Sequence, residues 1–185
     1  MKNKVRIIGG VWRSRQIHFI DAPHLRPTPS RVRETLFNWL QNNIHGSRCL
    51  DLYAGSGALG FEAASRGALS VIQVECNPKV CQALKENARA LAAQQVKVIQ
   101  MEVLQYLRGP AEKQDIVFMD PPFASNLVVE TCCCLENGHW LNEQAKIYIE
   151  AESRLELEKV PETWHLIKHK TAGEVAYYLF QRSGR

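Results

Sequence analysis

The sequence lacks any apolar run near the ~20 residues that a membrane-spanning helix requires. Its N-terminus is basic but has neither the apolar core nor the small-residue cleavage site of a signal peptide. We therefore expect a cytoplasmic protein without a membrane partner. A length of 185 residues, 45% of them hydrophobic and 23% charged, is ordinary for a globular chain that can bury its own core.

The sequence also lacks the C-x-x-C pairs that zinc sites commonly use. Its six cysteines are Cys49, Cys76, Cys81, Cys132, Cys133 and Cys134. Three consecutive cysteines inside a helical pattern favour reduced, partly buried thiols over a disulfide framework. We predict no metal site, and a structural rather than a redox role for these residues.

Acidic residues are scarce at the start of the chain. Residues 1–48 contain nine Lys or Arg and two acidic residues, whereas the rest of the chain contains 14 basic and 17 acidic residues. Positive charge gathered at one end is typical of proteins that bind a polyanion. A solvated basic surface without a partner would show the same asymmetry, so charge alone leaves both interpretations open.

The basic region also has a recognisable local pattern. Two short β-rich runs, residues 5–8 and 16–20, predict a small hairpin. Thr28 as a hydroxyl cap and Pro29 at the first helical position predict the start of a helix. Apolar residues at helical spacing extend that helix over residues 29–44. We assign residues 1–47 to a basic N-terminal extension.

Strands and helices alternate from residue 48 onward. The predicted strands are 48–53, 69–75, 96–101, 115–119 and 145–151, and the predicted helices are near 58–66, 78–93, 103–108 and 125–136. This alternation predicts an α/β, Rossmann-like fold with a doubly wound, mainly parallel sheet. Residues 165–169 and 175–180 flank a turn and predict a C-terminal antiparallel hairpin. We assign residues 48–185 to this larger domain.

The most informative stretch follows the first strand of that domain. Gly55, Gly57 and Gly60 have the spacing G-x-G-x-x-G between a strand and a helix. Such glycines allow a tight turn, close approach of a ligand to the backbone, and close packing of helix on strand. Glu75 ends the next strand, 20 residues after Gly55, where a carboxylate can accept both hydroxyls of a ribose. The pattern predicts a site for a nucleoside-containing cofactor.

A second motif, Asp120-Pro121-Pro122-Phe123, ends the fourth strand of the domain. The carboxyl ends of parallel strands share one crevice, so this motif should face the glycine turn. The prolines remove two N–H donors and leave carbonyl oxygens directed at the site. Acceptors beside the flat face of Phe123 suit a planar base that carries an exocyclic amine.

These motifs resemble those of class I S-adenosylmethionine-dependent amino-methyltransferases. Two N-terminal runs, Arg6-Ile-Ile-Gly-Gly-x-Trp12-Arg-x-Arg15 and Arg26-Pro-Thr-x-x-Arg31-Val-Arg-Glu-Thr-Leu-Phe-Asn38, further resemble the D-type family of bacterial 16S ribosomal RNA guanine-N2 methyltransferases. The C-terminal run from Ala172 to Tyr177 is also similar, and the resemblance covers nearly the whole chain.

The resemblance implies methylation of a guanine N2 amine with S-adenosyl-L-methionine as cofactor. It implies a monomer whose partner is 16S rRNA within the small ribosomal subunit or an assembly intermediate. The implied catalytic residues are Asp120, Pro121, Pro122 and Phe123. The implied cofactor-binding residues are Asp51, Tyr53, Ala54, Gly55, Gly57, Glu75, Cys76, Glu102 and Val103. The implied RNA-binding residues are Arg6, Arg13, Arg15, Arg26, Arg31 and Arg33.

Three other functions compete with this interpretation. A nicotinamide-dependent dehydrogenase would share the glycine turn but would have no use for Asp-Pro-Pro-Phe. A non-enzymatic RNA-binding module would explain the basic extension but not the cofactor motif. A DNA or RNA adenine-N6 amino-methyltransferase is the nearest rival, because it uses a similar acceptor motif. DNA enzymes of that class usually need a target-recognition region, for which 185 residues leave little room.

Overall fold

The computed structural model describes residues 3–22, 25–122, 127–151, 159–173 and 175–184. Within these ranges the strands are β1 (Asn3–Arg6), β2 (Gln16–Phe19), β3 (Arg48–Leu52), β4 (Ser70–Glu75), β5 (Val96–Gln100), β6 (Gln114–Met119), β7 (Leu141–Ala151), β8 (Trp164–Ala172) and β9 (Val175–Arg182). The helices are α1 (Ser30–Trp39), α2 (Ala58–Ser65), α3 (Pro78–Ala90), α4 (Val103–Leu107) and α5 (Leu127–Asn137).

One sheet organises the molecule, with the strand order β5-β4-β3-β6-β7-β9-β8. Strands β3 to β7 pair in parallel, and β9 runs antiparallel to β7 and β8. The chain moves outward from β3 to β5 and then returns to place β6 on the other side of β3. Such a reversal opens a crevice at the carboxyl ends of β3 and β6, where ligands of α/β sheets bind. The predicted doubly wound sheet with a C-terminal hairpin is confirmed.

The sheet has a hydrophobic cluster on each face. Phe37 of α1 and Phe118 of β6 belong to the cluster that also contains the buried residues of α2 and α3. Val117 and Trp140 belong to the opposite cluster, which contains the buried residues of α4 and α5. Because successive strand residues point to opposite faces, Phe118 and Tyr148 share the face covered by α1 and α2. At the carboxyl ends of the strands, that face borders the crevice.

The N-terminal hairpin, β1 paired antiparallel with β2, docks on this same face. The Asn87 side chain of α3 accepts a hydrogen bond from His18 N at 2.9 Å and donates one to His18 O at 2.7 Å. The Ser65 hydroxyl of α2 accepts one from Trp12 N at 2.9 Å. Ile7 and Ile17 of the extension enter the same hydrophobic cluster as the larger domain. We therefore expect both regions to unfold together, although they are distinct in sequence.

The helix start predicted at Thr28 needs correction. Pro29 is the N-cap of α1 and no side chain caps the helix. The Thr28 hydroxyl instead interacts with the Glu150 side chain of β7. The helix also ends at Trp39 rather than at residue 44, because Leu40 begins a turn whose carbonyl accepts hydrogen bonds from Asn43 N and Ile44 N.

No helix in the described part of the chain has the length and apolar character needed to cross a membrane. Over the same residues, no three His, Cys, Asp or Glu side chains are grouped so that they could hold a metal ion. All six cysteines are free thiols. Burial raises the pKa of Cys49 to about 12, so this thiol stays protonated.

Candidate active site

The glycine turn joins β3 to α2 through an alternation of left-handed residues. Tyr53 has φ +60°, Gly55 has φ +50° and Gly57 has φ +77°. Tyr53 is the one of the three that is not a glycine, and a left-handed non-glycine residue persists only where its surroundings hold it. Its hydroxyl lies 2.7 Å from the Thr131 hydroxyl of α5. This contact holds the turn against α5, which packs on the opposite face of the sheet from α2.

The three glycines of the motif serve different purposes. A Cβ on Gly57 would lie 2.5 Å from Leu84 Cδ2, and one on Gly60 would lie 2.5 Å from Gln73 Nε2. These two glycines permit close packing of α2. A Cβ on Gly55 would meet nothing closer than 3.7 Å, where Leu25 and the Tyr53 carbonyl lie. Gly55 is therefore the glycine that leaves open space beside the backbone.

Asp51 stabilises the glycine turn through hydrogen bonds to α2 and β4. Its Oδ2 accepts hydrogen bonds from Gly60 N at 3.0 Å and from Gln73 Nε2 at 3.2 Å. Burial raises the pKa of Asp51 to about 7, although these two donors oppose the shift and the Glu75 charge adds to it. The structure thus shows Asp51 holding α2 against β3 and β4. Its contact with the cofactor stays a prediction.

Glu75, at the end of β4, faces the turn. Its Oε2 accepts a hydrogen bond from Gly55 N at 3.0 Å, and its Oε1 accepts one from Asn77 N at 2.8 Å. Cys76 is exposed beside it, and both Glu75 and Glu102 interact with the Cys76 thiol. Burial, followed by these two charges, raises the pKa of Cys76 to about 11. Residues predicted to line the ribose and adenine therefore do gather at one place.

Asp120 directly follows β6 on the acceptor side of the crevice. Met119 pairs with Leu52 of β3, so Asp120 lies beside the start of the glycine turn. Asp120 is half-buried and Pro121 is buried, whereas Pro122 is exposed. Burial raises the pKa of Asp120 well above its ordinary range, and the charges of Glu150 and Asp51 raise it further. Phe123, predicted to stack on the base, lies outside the described residues.

Glu150 of β7 also reaches the crevice, although the sequence did not single it out. This carboxylate is 5% exposed, and its Oε1 accepts a hydrogen bond from the Tyr148 hydroxyl at 2.7 Å. Burial raises the pKa of Glu150, while Tyr148 and Thr28 oppose the rise. The sequence did contain a signal for this residue. Glu150 is an acidic residue that ends the apolar run beginning at Ile147, just as Asp120 ends the run beginning at Ile116.

Arg33 is not available to RNA, which corrects one predicted role. Its side chain is 2% exposed, and its guanidinium contacts Glu62 Oε2 at 3.4 Å. It also donates hydrogen bonds to Thr28 O, Arg6 O and Ser30 Oγ. Burial lowers the pKa of Arg33, while the Glu62 charge opposes that shift. A guanidinium that the protein encloses in this way cannot reach a phosphate.

Glu62 is the partner that makes this burial possible, and no local sequence pattern identified it. This residue of α2 is fully buried. Its carboxylate accepts hydrogen bonds from Ile8 N at 2.9 Å, Gly9 N at 2.8 Å and Arg66 Nε at 2.8 Å, in addition to Arg33. Part of the family-like N-terminal motif therefore serves to dock the extension on α2.

The other five predicted RNA-binding arginines are exposed, but they are not gathered at one place. Arg13 and Arg15 lie far from the crevice, because Arg15 donates to Ala90 O at the end of α3 at 2.7 Å. Arg26 follows Leu25, which approaches Gly55, and Arg31 lies in the first turn of α1. Arg6 is exposed on β1. Arg26 and Arg31 therefore flank the crevice, whereas Arg13 and Arg15 do not.

Comparison with known proteins places the chain in a family. The profile of the family described as "Conserved hypothetical protein 95" matches residues 5–181. "Ribosomal RNA small subunit methyltransferase D" of Escherichia coli K12 is 45% identical over 182 residues, covering 98% of this chain and 92% of that protein. The protein of the same name from Haemophilus influenzae is 45% identical over 184 residues, covering 97% and 95% of the two chains.

A solved structure extends this similarity to three dimensions. The Escherichia coli protein yhhF, described provisionally as a methyltransferase, has a TM-score of 0.90 with 44% identity, covering 99% of this chain and all of that one. Sequence and fold therefore agree over nearly the full length. The chain belongs to the family of "Ribosomal RNA small subunit methyltransferase D", within the class I S-adenosylmethionine-dependent methyltransferases.

Proposed function

We propose that the chain transfers a methyl group from S-adenosylmethionine to the exocyclic N2 amine of a guanine in 16S rRNA of the small ribosomal subunit. One observation carries the proposal. The carboxylate of Asp120 and the glycine turn with Glu75 open on one crevice at the reversal of strand order. The relatives named for small-subunit ribosomal RNA methylation support the substrate class.

The residues on the β3–β4 side suit the cofactor. Glu75 presents carboxylate oxygens that can accept hydrogen bonds from ribose hydroxyls, and Gly55 leaves room for the ligand beside the backbone. Cys76, Glu102 and Val103 would border the adenine, while Asp51, Tyr53 and Ala54 would shape the methionine end. When bound, the cofactor supplies a sulfonium methyl group, which is the electrophile of the reaction.

The residues on the β6 side suit an amine acceptor. The N2 lone pair of guanine is delocalised into the ring and is a poor nucleophile. Asp120 and the Pro121 carbonyl would accept hydrogen bonds from the two amine hydrogens, which favours a pyramidal nitrogen with its lone pair exposed. Orientation for in-line attack and stabilisation of the positive charge that develops on nitrogen would supply the acceleration.

The test is methylation of small ribosomal subunits, free 16S rRNA and duplex DNA with labelled S-adenosylmethionine, followed by nucleoside analysis. We expect the label in N2-methylguanosine from ribosomal substrates. Label in N6-methyladenosine or N6-methyldeoxyadenosine would support the adenine alternative instead. Absence of label from every nucleic acid would exclude both proposals.

The role of Glu75 can be tested through cofactor affinity. Glu75→Ala should weaken S-adenosylmethionine binding by about 1–3 kcal/mol, because the ribose hydroxyls lose their acceptor. Isothermal titration calorimetry measures the loss, and the melting temperature shows whether the turn stays folded. Glu86→Ala is the matched control, because Glu86 is exposed on α3 and bonds only to Gln82 among the described residues. Equal affinity for Glu75→Ala and the control would remove Glu75 from the cofactor site.

The positions of the arginines predict two kinds of RNA-binding defect. Alanine at Arg13, Arg15, Arg26 or Arg31 should each weaken RNA binding and reduce the slope of log affinity against log salt by roughly one unit or less. Only Arg26→Ala and Arg31→Ala should also lower the single-turnover rate at saturating RNA, because these two arginines flank the crevice. Lys97→Ala, on the edge strand β5, is the control. Four variants with unchanged salt slopes would mean that the basic region is an ordinary solvated surface.

A further inference from the structure

Two carboxyl groups lie side by side where β6 ends against β7. Met119 and Ile149 are the last residues paired between these parallel strands. Asp120 and Glu150 each follow, one step further along neighbouring strands that lie about 4.8 Å apart. Residues in register on neighbouring strands point to the same face, so both carboxyls belong to the face that α1 and α2 cover. Glu150 is buried and Asp120 is half-buried.

The surroundings of the two carboxyls are unequal. Glu150 accepts a hydrogen bond from the Tyr148 hydroxyl at 2.7 Å and interacts with the Thr28 hydroxyl. Hydrogen bonds to a carboxylate favour its ionised form. The negative charge of Glu150 in turn disfavours ionisation of Asp120. Two adjacent carboxyls with little access to water resist double ionisation, so a proton they share is held on Asp120.

This distribution of charge bears on the acceptor role of Asp120. A protonated Asp120 presents an O–H donor, whereas the substrate amine needs an acceptor. We propose that Glu150, kept ionised by Tyr148, is a positioning residue that sets the protonation state in which Asp120 meets the amine. This inference rests on the proposed function, because it assumes that Asp120 receives the amine.

The same pair of carboxyl groups, Asp120 and Glu150, accounts for the protons released and taken up in the reaction. The shared proton leaves Asp120 for solvent before the amine binds. As the bond from nitrogen to the methyl carbon forms, the carbon–sulfur bond of the cofactor breaks and its electron pair stays on sulfur. The surplus amine proton then passes to the Asp120 carboxylate, which restores the singly protonated pair.

Among the described residues, the titratable groups near this pair lie on β3, β7 and β9. Glu150 and Tyr148 come from β7, and Asp51 comes from β3. Tyr177 of β9 pairs with Glu150 in the sheet. Thr28, which does not titrate in this range, approaches Glu150 from the segment before α1. In the part of the chain that the structure describes, the hydroxyls of Tyr148 and Thr28 are the groups that stabilise the ionised form of Glu150.

The experiment compares Glu150→Gln and Tyr148→Phe with wild type across pH. Gln removes the neighbouring charge, so the acidic limb of kcat/KM on small ribosomal subunits should move toward lower pH by about 1 unit or more. Tyr148→Phe keeps the ring but removes the donor to Glu150, which lets the shared proton move to Glu150. Its acidic limb should move in the same direction by less. Tyr106→Phe is the control and should match wild type, because Tyr106 packs against Trp140 on the opposite face of the sheet.

A second measurement does not depend on turnover. NMR titration of isotope-labelled aspartate carboxyl carbons in the free protein reports Asp120 directly, with Asp120→Asn identifying its signal. Asp120 should titrate above the ordinary aspartate range in wild type and at lower pH in both variants. If Glu150→Gln does not fold, Tyr148→Phe decides. An unchanged titration in the folded variants overturns the inference, whereas wild type that methylates no guanine N2 overturns the proposed function instead.

Discussion

Replacing Asp120 with alanine should lower the rate of methyl transfer by about 10²–10³-fold, the usual effect of removing one electrostatic contact to the transition state. Cofactor affinity should stay nearly unchanged, because the proposed ribose acceptor Glu75 ends β4, which is separated from β6 by β3. The reason for the loss is that the carboxylate acts mainly while positive charge develops on the amine. Single-turnover kinetics measure the rate, and calorimetry measures the affinity.

Asp120→Asn is the matched variant for this experiment. Asn keeps one acceptor oxygen, so its rate should exceed that of Asp120→Ala. It also removes the titrating group, so an increase of turnover with pH that comes from Asp120 should disappear. Folding disfavours ionised Asp120, so a neutral Asn should leave the free energy of unfolding at pH 7 unchanged or higher. Near-normal turnover in folded Asp120→Ala would contradict the proposed mechanism.

The second large effect concerns stability rather than chemistry. Glu62→Ala should lower the free energy of unfolding by about 3–5 kcal/mol, because it leaves the Arg33 guanidinium buried without its carboxylate. The N–H groups of Ile8 and Gly9 also lose their acceptor. Urea unfolding measures the loss, and hydrogen exchange should show that β1 and β2 lose protection first. Glu86→Ala, on the exposed side of α3, should stay within about 0.5 kcal/mol of wild type.

A double variant tests the Arg33–Glu62 ion pair separately from the other hydrogen bonds that Glu62 accepts. Arg33→Met combined with Glu62→Leu removes both charges and keeps apolar volume. It should be less destabilised than Glu62→Ala alone, because the buried guanidinium of Arg33 is removed together with its carboxylate, while Arg66, which loses the same partner, is partly exposed to water. Destabilisation of Glu62→Ala by under about 1 kcal/mol would show that water can replace the carboxylate as the acceptor for Arg33. Ile7 and Ile17 of the extension are buried in the same hydrophobic cluster as α2, so deleting the extension would expose the apolar residues of the larger domain that they cover.

The sheet and its crevice were predictable because the signals are local. Apolar runs such as Ile116 to Met119 identify buried strands, and Gly55 with Gly57 identifies the turn that a ligand approaches. The alternation of strands and helices predicted the mainly parallel pairing, whereas the strand order β5-β4-β3-β6-β7-β9-β8 came from the structure. The candidate cofactor residues gather at this crevice because they lie at or just after the carboxyl ends of β3, β4 and β5. Their roles there remain to be tested.

Local rules failed where a distant residue competed for the same side chain. Thr28 has the character of a helix cap, but its hydroxyl interacts with Glu150, 122 positions further along the chain. Arg31 and Arg33 are two residues apart in one helix, yet Arg31 is exposed and Arg33 is enclosed. A count of charges treats the two arginines alike, because nothing nearby in the sequence identifies Glu62 as a partner.

The sequence by itself determined the order of strands and helices, the glycine turn, and the acid-proline-proline motif at a strand end. Each depends on backbone preferences and on periodicity within a few residues. Only the tertiary structure decided which charges face one another: Glu62 with Arg33, and Glu150 beside Asp120. A buried carboxylate is stabilised by partners that the fold brings from other elements, so its role depends on contacts that no short stretch of sequence contains.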